Sequence, residues 1–217
     1  MKRPQLLLAM HDAMLAALGP SRWWPGDTPF EVAVGAVLTQ NTNWKNVEKA
    51  IANLRAAGAL EARAMDALPA ARLAELVRPS GSFNVKAARL KNLLALLRDE
   101  ADYDIRALSG RGLDALRPLL LGVRGVGPET ADSILLYALD EPTFVVDAYT
   151  RRILGRHALL PEDAHYDEVR EFFMDALPRD AALFNEYHAL LVRVAKDFCR
   201  KARPLCDGCP LEPFLER

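Results

Sequence analysis

Residues 119–154 read LLLGVRGVGPETADSILLYALDEPTFVVDAYTRRIL, and this stretch decides the fold. Leu119, Leu120 and Leu121 form the apolar end of a helix, and GVRGVG follows as a tight turn. Gly125 and Gly127 permit positive φ there and leave the backbone unobstructed by Cβ. Pro128 suits the first position of a new helix, with Thr130 and Ala131 in its first turns. Ala131, Ile134, Leu135 and Ala138 recur at i, i+3, i+4 and i+7, which predicts a helix with one buried face. The N–H groups where turn meets helix make a cradle for a phosphate oxygen. Asp147 then stands between the apolar run Phe144-Val145-Val146 and the helix-like AYTRRIL, a place for an N-cap.

The 217 residues allow one large domain or two small ones. With 51% of them apolar and a net charge of −1, a sizeable core is available, and any nucleic-acid-binding face must come from local basic patches. No apolar run reaches about 18 residues, so no membrane span is expected. The segment MKRPQLLLAMHDAMLAAL (1–18) is basic and then apolar, but His11 and Asp12 interrupt it and suit an amphipathic helix better than a signal peptide. A cytoplasmic protein is expected. All three cysteines lie within residues 199–209, which speaks against a disulfide framework and for a local site.

Helical periodicity runs through the rest of the chain. Helices are expected over 4–18, 29–39, 61–67, 70–77, 166–177 and 183–198. Two more are marked by Val47, Ala50, Ile51 and Leu54, and by Leu90, Leu93, Leu94 and Leu97. Asp27 or Thr28 can cap the second helix, and RPSGSFN (78–84) breaks the pattern. The pattern predicts an all-α protein in two lobes.

Turn, helix and carboxylate at this spacing resemble the helix-hairpin-helix DNA glycosylase superfamily, in its endonuclease III branch. The resemblance implies a two-lobed endonuclease III-like fold. Residues 20–130 would form a helical barrel carrying the hairpin motif (about 113–139), and residues 1–19 with 131–217 the second lobe. It places the active site in the cleft between them, and it implies that the hairpin grips the DNA backbone while Asp147 drives base excision. Bifunctional members carry Lys in GVGxKTA, and that amine attacks the sugar to form a Schiff base. This chain reads GVGPETA, with Glu129 at that position, and a carboxylate forms no imine. The reading is therefore monofunctional excision that leaves an abasic site, with Asp147 stabilising the oxocarbenium-like state. Glu129 is read either as a second catalytic carboxylate beside Asp147 or as a first-turn carboxylate favoured by the helix dipole.

RWWP (22–25), VLTQNTNWKNV (37–47) and VRPSGSFNVKAARL (77–90) resemble the 3-methyladenine glycosylase offshoot of this branch. That offshoot stacks a flipped alkylated purine between aromatic rings, and Trp24 and Trp44 match those positions. A methylated purine is cationic, so indole gains both dispersion and cation–π energy from it. The other reading makes the tryptophans core aromatics, as for Trp23. Gln40 and Asn41 match the loop that relatives push into the vacated base stack, or cap a helix.

Cys199-x6-Cys206-x2-Cys209 has the spacing of the iron–sulfur loop of endonuclease III relatives. The resemblance implies a [4Fe–4S] cluster. The family continues x5-Cys, and here that position is Leu215, so the fourth iron requires water, a non-Cys ligand or a residue outside this sequence. Zinc and metal-free remnant cysteines are the alternatives. Lys201 and Arg203 in the loop, and Arg151 after Asp147, would meet phosphates, whereas Arg152 reads as solvated. Lys86, Arg89 and Lys91 read as a basic surface stripe, and no role is read for His157, His165 or His188. The function expected is a base-excision glycosylase, a monomer acting on double-stranded DNA with a damaged base, preferably an alkylated purine. The rivals are an endonuclease III-type glycosylase for oxidised pyrimidines and a non-catalytic lesion binder.

Overall fold

The computed structural model describes residues 2–21, 23 and 26–215, and among these the chain is helical with no strand. In chain order the helices are α1 (Arg3–Leu18), α2 (Pro29–Leu38), α3 (Trp44–Ala56), α4 (Ala62–Ala67), α5 (Ala70–Leu76) and α6 (Phe83–Ala101). They continue as α7 (Leu113–Leu121), α8 (Pro128–Leu139), α9 (Ala148–Arg156), α10 (Tyr166–Met174) and α11 (Ala181–Asp197). The chain forms two compact units, Trp24–Glu141 and Met1–Trp23 with Pro142–Arg217. The later division falls after Glu141, not near residue 130, because α8 packs against α2 and α7 within the first of these units.

In the unit Trp24–Glu141, α2 is the central rod. Thr28 caps it, its Oγ1 accepting the Glu31 N–H at 3.1 Å, and Pro29 opens it. Every residue from Phe30 to Leu38 is buried. A helix apolar all round belongs inside a core. Leu90, Leu93, Leu94 and Leu97 of α6 pack into that core, each contributing roughly 1.5–3 kcal/mol.

Two expectations need correction here. Helix α8 does not bury a single face: Thr130 through Leu136 are buried without a break. Its Asp132 has no exposure, and Arg117 of α7 holds it with paired bonds of 3.0 and 3.3 Å. A buried carboxylate requires such a partner, and the pair straps α7 to α8 across the hairpin. Nor do Lys86, Arg89 and Lys91 form a solvated stripe. Lys86 is buried and donates to the carbonyls of Leu38 (2.9 Å) and Ser80 (2.5 Å). Its stem lies along apolar surface and its cation caps the C-terminus of α2. Burial, then the nearby Arg89, pushes the Lys86 ammonium below its ordinary pKa.

The other unit is built on α11, whose Phe184, Tyr187, Leu190, Leu191 and Val194 are buried. Phe144 stacks on Phe173 at 3.8 Å, and Tyr187 crosses both edge-on. The run Phe144-Val145-Val146 thereby threads the core and delivers Asp147 to the start of α9. Helix α10 ends at Met174, short of residue 177; Leu177 turns back onto the Phe173 carbonyl, and Pro178 follows.

Candidate active site and metal centre

The hairpin spans residues 122–127 between α7 and α8. Val123 and Val126 are buried and anchor it, and the Val126 N–H closes on the Val123 carbonyl at 3.0 Å. Gly125 has φ +94°, and a Cβ there would stand 2.5 Å from Cγ of Arg89. Gly127 differs: its φ is −94°, open to any residue, and a Cβ would meet nothing within 4 Å. Positive φ thus explains Gly125 only. At Gly127 the missing side chain leaves space outside the protein. Among the described residues no side chain caps α8, so its first-turn N–H groups have no capping partner there.

Behind the hairpin lies a bracket that the sequence did not reveal. Gln40 Nε2 donates to the Gly125 carbonyl (3.2 Å) and to Thr130 Oγ1 (2.9 Å), while Arg89 NH1 donates to Gln40 Oε1. Asn92 adds a bond to the Arg124 carbonyl at 2.8 Å. Gln40 is therefore committed to holding the turn, and Thr130 is buried in that bracket. Asn41 is exposed in the loop, with φ +53°. Glu129 is exposed in the first turn of α8. Trp44 opens α3 and lines a cavity of about 140 Å³ with Glu31, Glu48, Ile51 and Arg55. Glu31 is nearly buried there and pairs with Arg55 at 2.8 Å. Trp24 lies outside the described residues.

Asp147 caps α9. Its Oδ1 accepts the Thr150 N–H at 2.8 Å and the Thr150 hydroxyl at 3.0 Å. Its Oδ2 lies 3.5 Å from Nε2 of the buried His188. The side chain keeps 16% exposure, enough for one oxygen edge to meet a ligand. Burial pushes the carboxyl pKa up, but the His188 contact and the two Thr150 donors outweigh that and hold it below the ordinary value. The sequence offered no sign of His188, which follows Asp147 by 41 positions. Arg151 donates to the Ala164 carbonyl. Arg152 is not solvated: it is buried, donating to the carbonyls of Cys199 (2.8 Å) and Ala195 (3.3 Å).

Cys199, Cys206 and Cys209 line one cavity of about 290 Å³, walled largely by Ile153, Val194, Phe198 and Leu211. Arg156 NH1 donates to Cys199 Sγ at 3.3 Å, and its guanidinium also holds the carbonyls of Arg200 and Lys201. Burial raises the Cys209 thiol, backbone N–H bonds from Leu211 and Glu212 oppose this, and the other two cysteines raise it further. Among the described residues no three His, Cys, Asp or Glu side chains are grouped as a single metal ion requires. A cluster instead takes one thiolate per iron. Three sulfurs around one apolar cavity, with N–H donors aimed at them, fit that donor chemistry at three corners. Lys201 and Arg203 are exposed on the loop.

Residues 34–179 match the model of the family described as HhH-GPD superfamily base excision DNA repair protein. A Methanocaldococcus jannaschii protein that carries the name of a DNA repair glycosylase is 46% identical over 211 residues, 97% of this chain and 96% of its own. The H. pylori 3-methyladenine DNA glycosylase bound to 1,N6-ethenoadenine superposes with TM-score 0.76 at 29% identity, covering 90% of this chain and 98% of that one. An endonuclease III in non-covalent complex with DNA superposes with TM-score 0.83 at 22% identity, covering 100% and 96%.

Proposed function

The chain belongs to the HhH-GPD superfamily of base excision DNA repair proteins, and from that premise we propose a monofunctional glycosylase that hydrolyses the N-glycosidic bond of a flipped alkylated purine. The observation that carries the reading is the state of Asp147, an ionised carboxylate fixed at one oxygen by Thr150 and flanked at the other by His188. Glycosidic cleavage passes through an oxocarbenium-like state. As the base leaves with the bonding electron pair, positive charge grows on C1′, and a fixed carboxylate in a water-poor site stabilises it without reorganising. The same carboxylate orients the water that adds to C1′ and takes its proton. Glu129 occupies the place where bifunctional members of the branch carry lysine, and it cannot form an imine.

The hairpin supplies the DNA grip. Val123, Val126 and the Gln40 bracket hold its backbone in place, and the uncapped start of α8 receives a phosphate oxygen. Trp44 offers an indole face to a cationic purine, in a cavity where Arg55 neutralises Glu31 and Glu48 is the further carboxylate. The likeness to the H. pylori 3-methyladenine glycosylase supports that substrate class, with Trp24 as a second stacking face. Asn41 is the residue offered to the vacated stack. Cys199, Cys206 and Cys209 hold an iron–sulfur cluster, whose part when bound is to cross-link the loop that carries Lys201 and Arg203 toward phosphates. The enzyme works as a monomer on double-stranded DNA.

The test is a panel of duplexes, each with one lesion, assayed separately for base release and for strand cleavage. Release of 3-methyladenine or ethenoadenine without strand cleavage, and with no borohydride-trapped adduct, is the expected result. Release confined to oxidised pyrimidines overturns the substrate class. Efficient borohydride trapping overturns the monofunctional reading.

A further inference from the structure

We infer that His157 is the fourth ligand of the iron–sulfur cluster. The inference rests on the cluster proposed above and concerns the corner that three cysteines leave open.

Leu215 lines the same cavity as the three cysteines. The loop therefore keeps its register, and what is missing at that position is only a donor atom. His157, the residue that ends α9, lines this cavity too and is buried to 6% exposure. Its Nδ1 lies 3.2 Å from the carbonyl oxygen of Phe214, the residue before Leu215. The imidazole is thus pinned to the backbone next to the position at issue. A carbonyl can only accept, so Nδ1 carries the proton and the lone pair resides on Nε2. Metal-binding histidines are held in this way, the second ring N–H given to a carbonyl while the other nitrogen ligates. Among the described residues Nε2 makes no hydrogen bond.

The other polar side chains of the cavity serve less well. Arg156 has no lone pair to give and is engaged with Cys199 Sγ. Glu212 offers a hard carboxylate oxygen, a poorer match for cluster iron than imidazole. Histidine in place of thiolate also lowers the negative charge around the cluster, which raises its reduction potential.

The experiment uses the full chain purified without oxygen, or reconstituted with iron and sulfide. Iron and acid-labile sulfide are counted, and nitrogen hyperfine coupling to the reduced cluster is read in protein carrying natural or ¹⁵N-histidine. We expect about four irons per chain and a histidine-nitrogen coupling. In His157→Ala the coupling should vanish and iron should fall to about three per chain. His157→Ala with Leu215→Cys should recover about four irons without coupling, at a lower potential than wild type. That double variant separates ligand loss from misfolding. Four irons with no nitrogen coupling in wild type, or coupling that persists in His157→Ala, overturns the ligand while leaving the cluster in place. Wild-type protein that takes up no iron overturns the cluster itself and the ligand with it.

Discussion

Helices α8 and α9 both begin at an N-cap residue with extended backbone, yet one start is open and the other closed. At α8 the N-cap is Gly127, and among the described residues no side chain caps the first N–H groups and nothing lies within 4 Å of a Cβ built on Gly127. At α9 Asp147 takes the Thr150 N–H and hydroxyl and faces His188. A helix start carries about half a positive charge. Left open, it draws in an anion from outside, and closed by a resident carboxylate, it keeps that carboxylate ionised. In the proposed function one structural device therefore supplies a binding site in one unit and a charged catalytic group in the other.

The largest effect should come from the closed start. Asp147→Asn keeps the shape and the Thr150 bonds but removes the charge. The variant should fold, bind lesion DNA, and lose base release by at least about 10³-fold, as when a preorganised stabilising group is removed. Single-turnover release of a methylated purine measures this. Near-normal release would mean that Asp147 is only a cap, and the contrast between the two helix starts would collapse.

The open start gives the next effect. Gly127→Leu should fold normally, since φ there is ordinary and no atom of the described residues lies within 4 Å of a Cβ. The added side chain stands where a phosphate would approach, so DNA affinity should fall roughly 10- to 100-fold, the worth of a bond to a charged group. The loss should be alike for lesion and undamaged duplexes. Gly125→Leu should instead lower the melting temperature, because Arg89 occupies the space and φ is +94°. If the two variants behaved alike in melting and in binding, the hairpin would not have an inner and an outer glycine.

Much of this was legible in the sequence, and what was not has a common cause. Periodicity identified the helices, and the glycines with Pro128 placed the hairpin, because these signals act within one or two turns of chain. The bracket of Gln40, Arg89 and Thr130 joins residues 49 and 90 positions apart, and no local pattern encodes it. His188 and Lys86 failed for the same reason. Each lies on a helix whose apolar periodicity is unremarkable, and each has a function only through what the fold sets opposite its polar end. Gly127 was the converse case: positive φ was expected there, and the backbone angle is −94° with open space where a Cβ would stand.

His188 gives a smaller effect with a direction fixed by Asp147. In His188→Gln the imidazole that faces Asp147 at 3.5 Å is lost, so burial of Asp147 is less opposed and its pKa moves up. Base release at neutral pH should fall by roughly 2- to 10-fold, as for one ordinary hydrogen bond. The acid limb of kcat/KM should lie at higher pH than in wild type. The sign for stability follows from the lowered pKa of Asp147 in the native state. Its contribution is fully present above the unfolded carboxylate value near pH ~3.9 and is lost as pH falls through the native value. The melting difference between wild type and His188→Gln should therefore shrink as pH falls below ~3.9 and through the native Asp147 value. A difference that persists once Asp147 is protonated would assign His188 some other role.

Glu129 should show the smallest effect, in two opposite directions. It sits in the first turn of the open helix, where a carboxylate gains from the dipole by about 0.3–1 kcal/mol, less at its exposed position and in salt. Glu129→Gln should therefore lower the melting temperature by no more than about 3 °C for a chain of this size. The same substitution removes a negative charge from the place proposed for a phosphate, so DNA affinity should rise by a few-fold at low salt and return to the wild-type value as salt screens the pair. Titration of an undamaged duplex at two ionic strengths reads this directly. A variant that bound DNA more weakly at both would show Glu129 to be part of the DNA grip, and the start of α8 would then be no more open than that of α9.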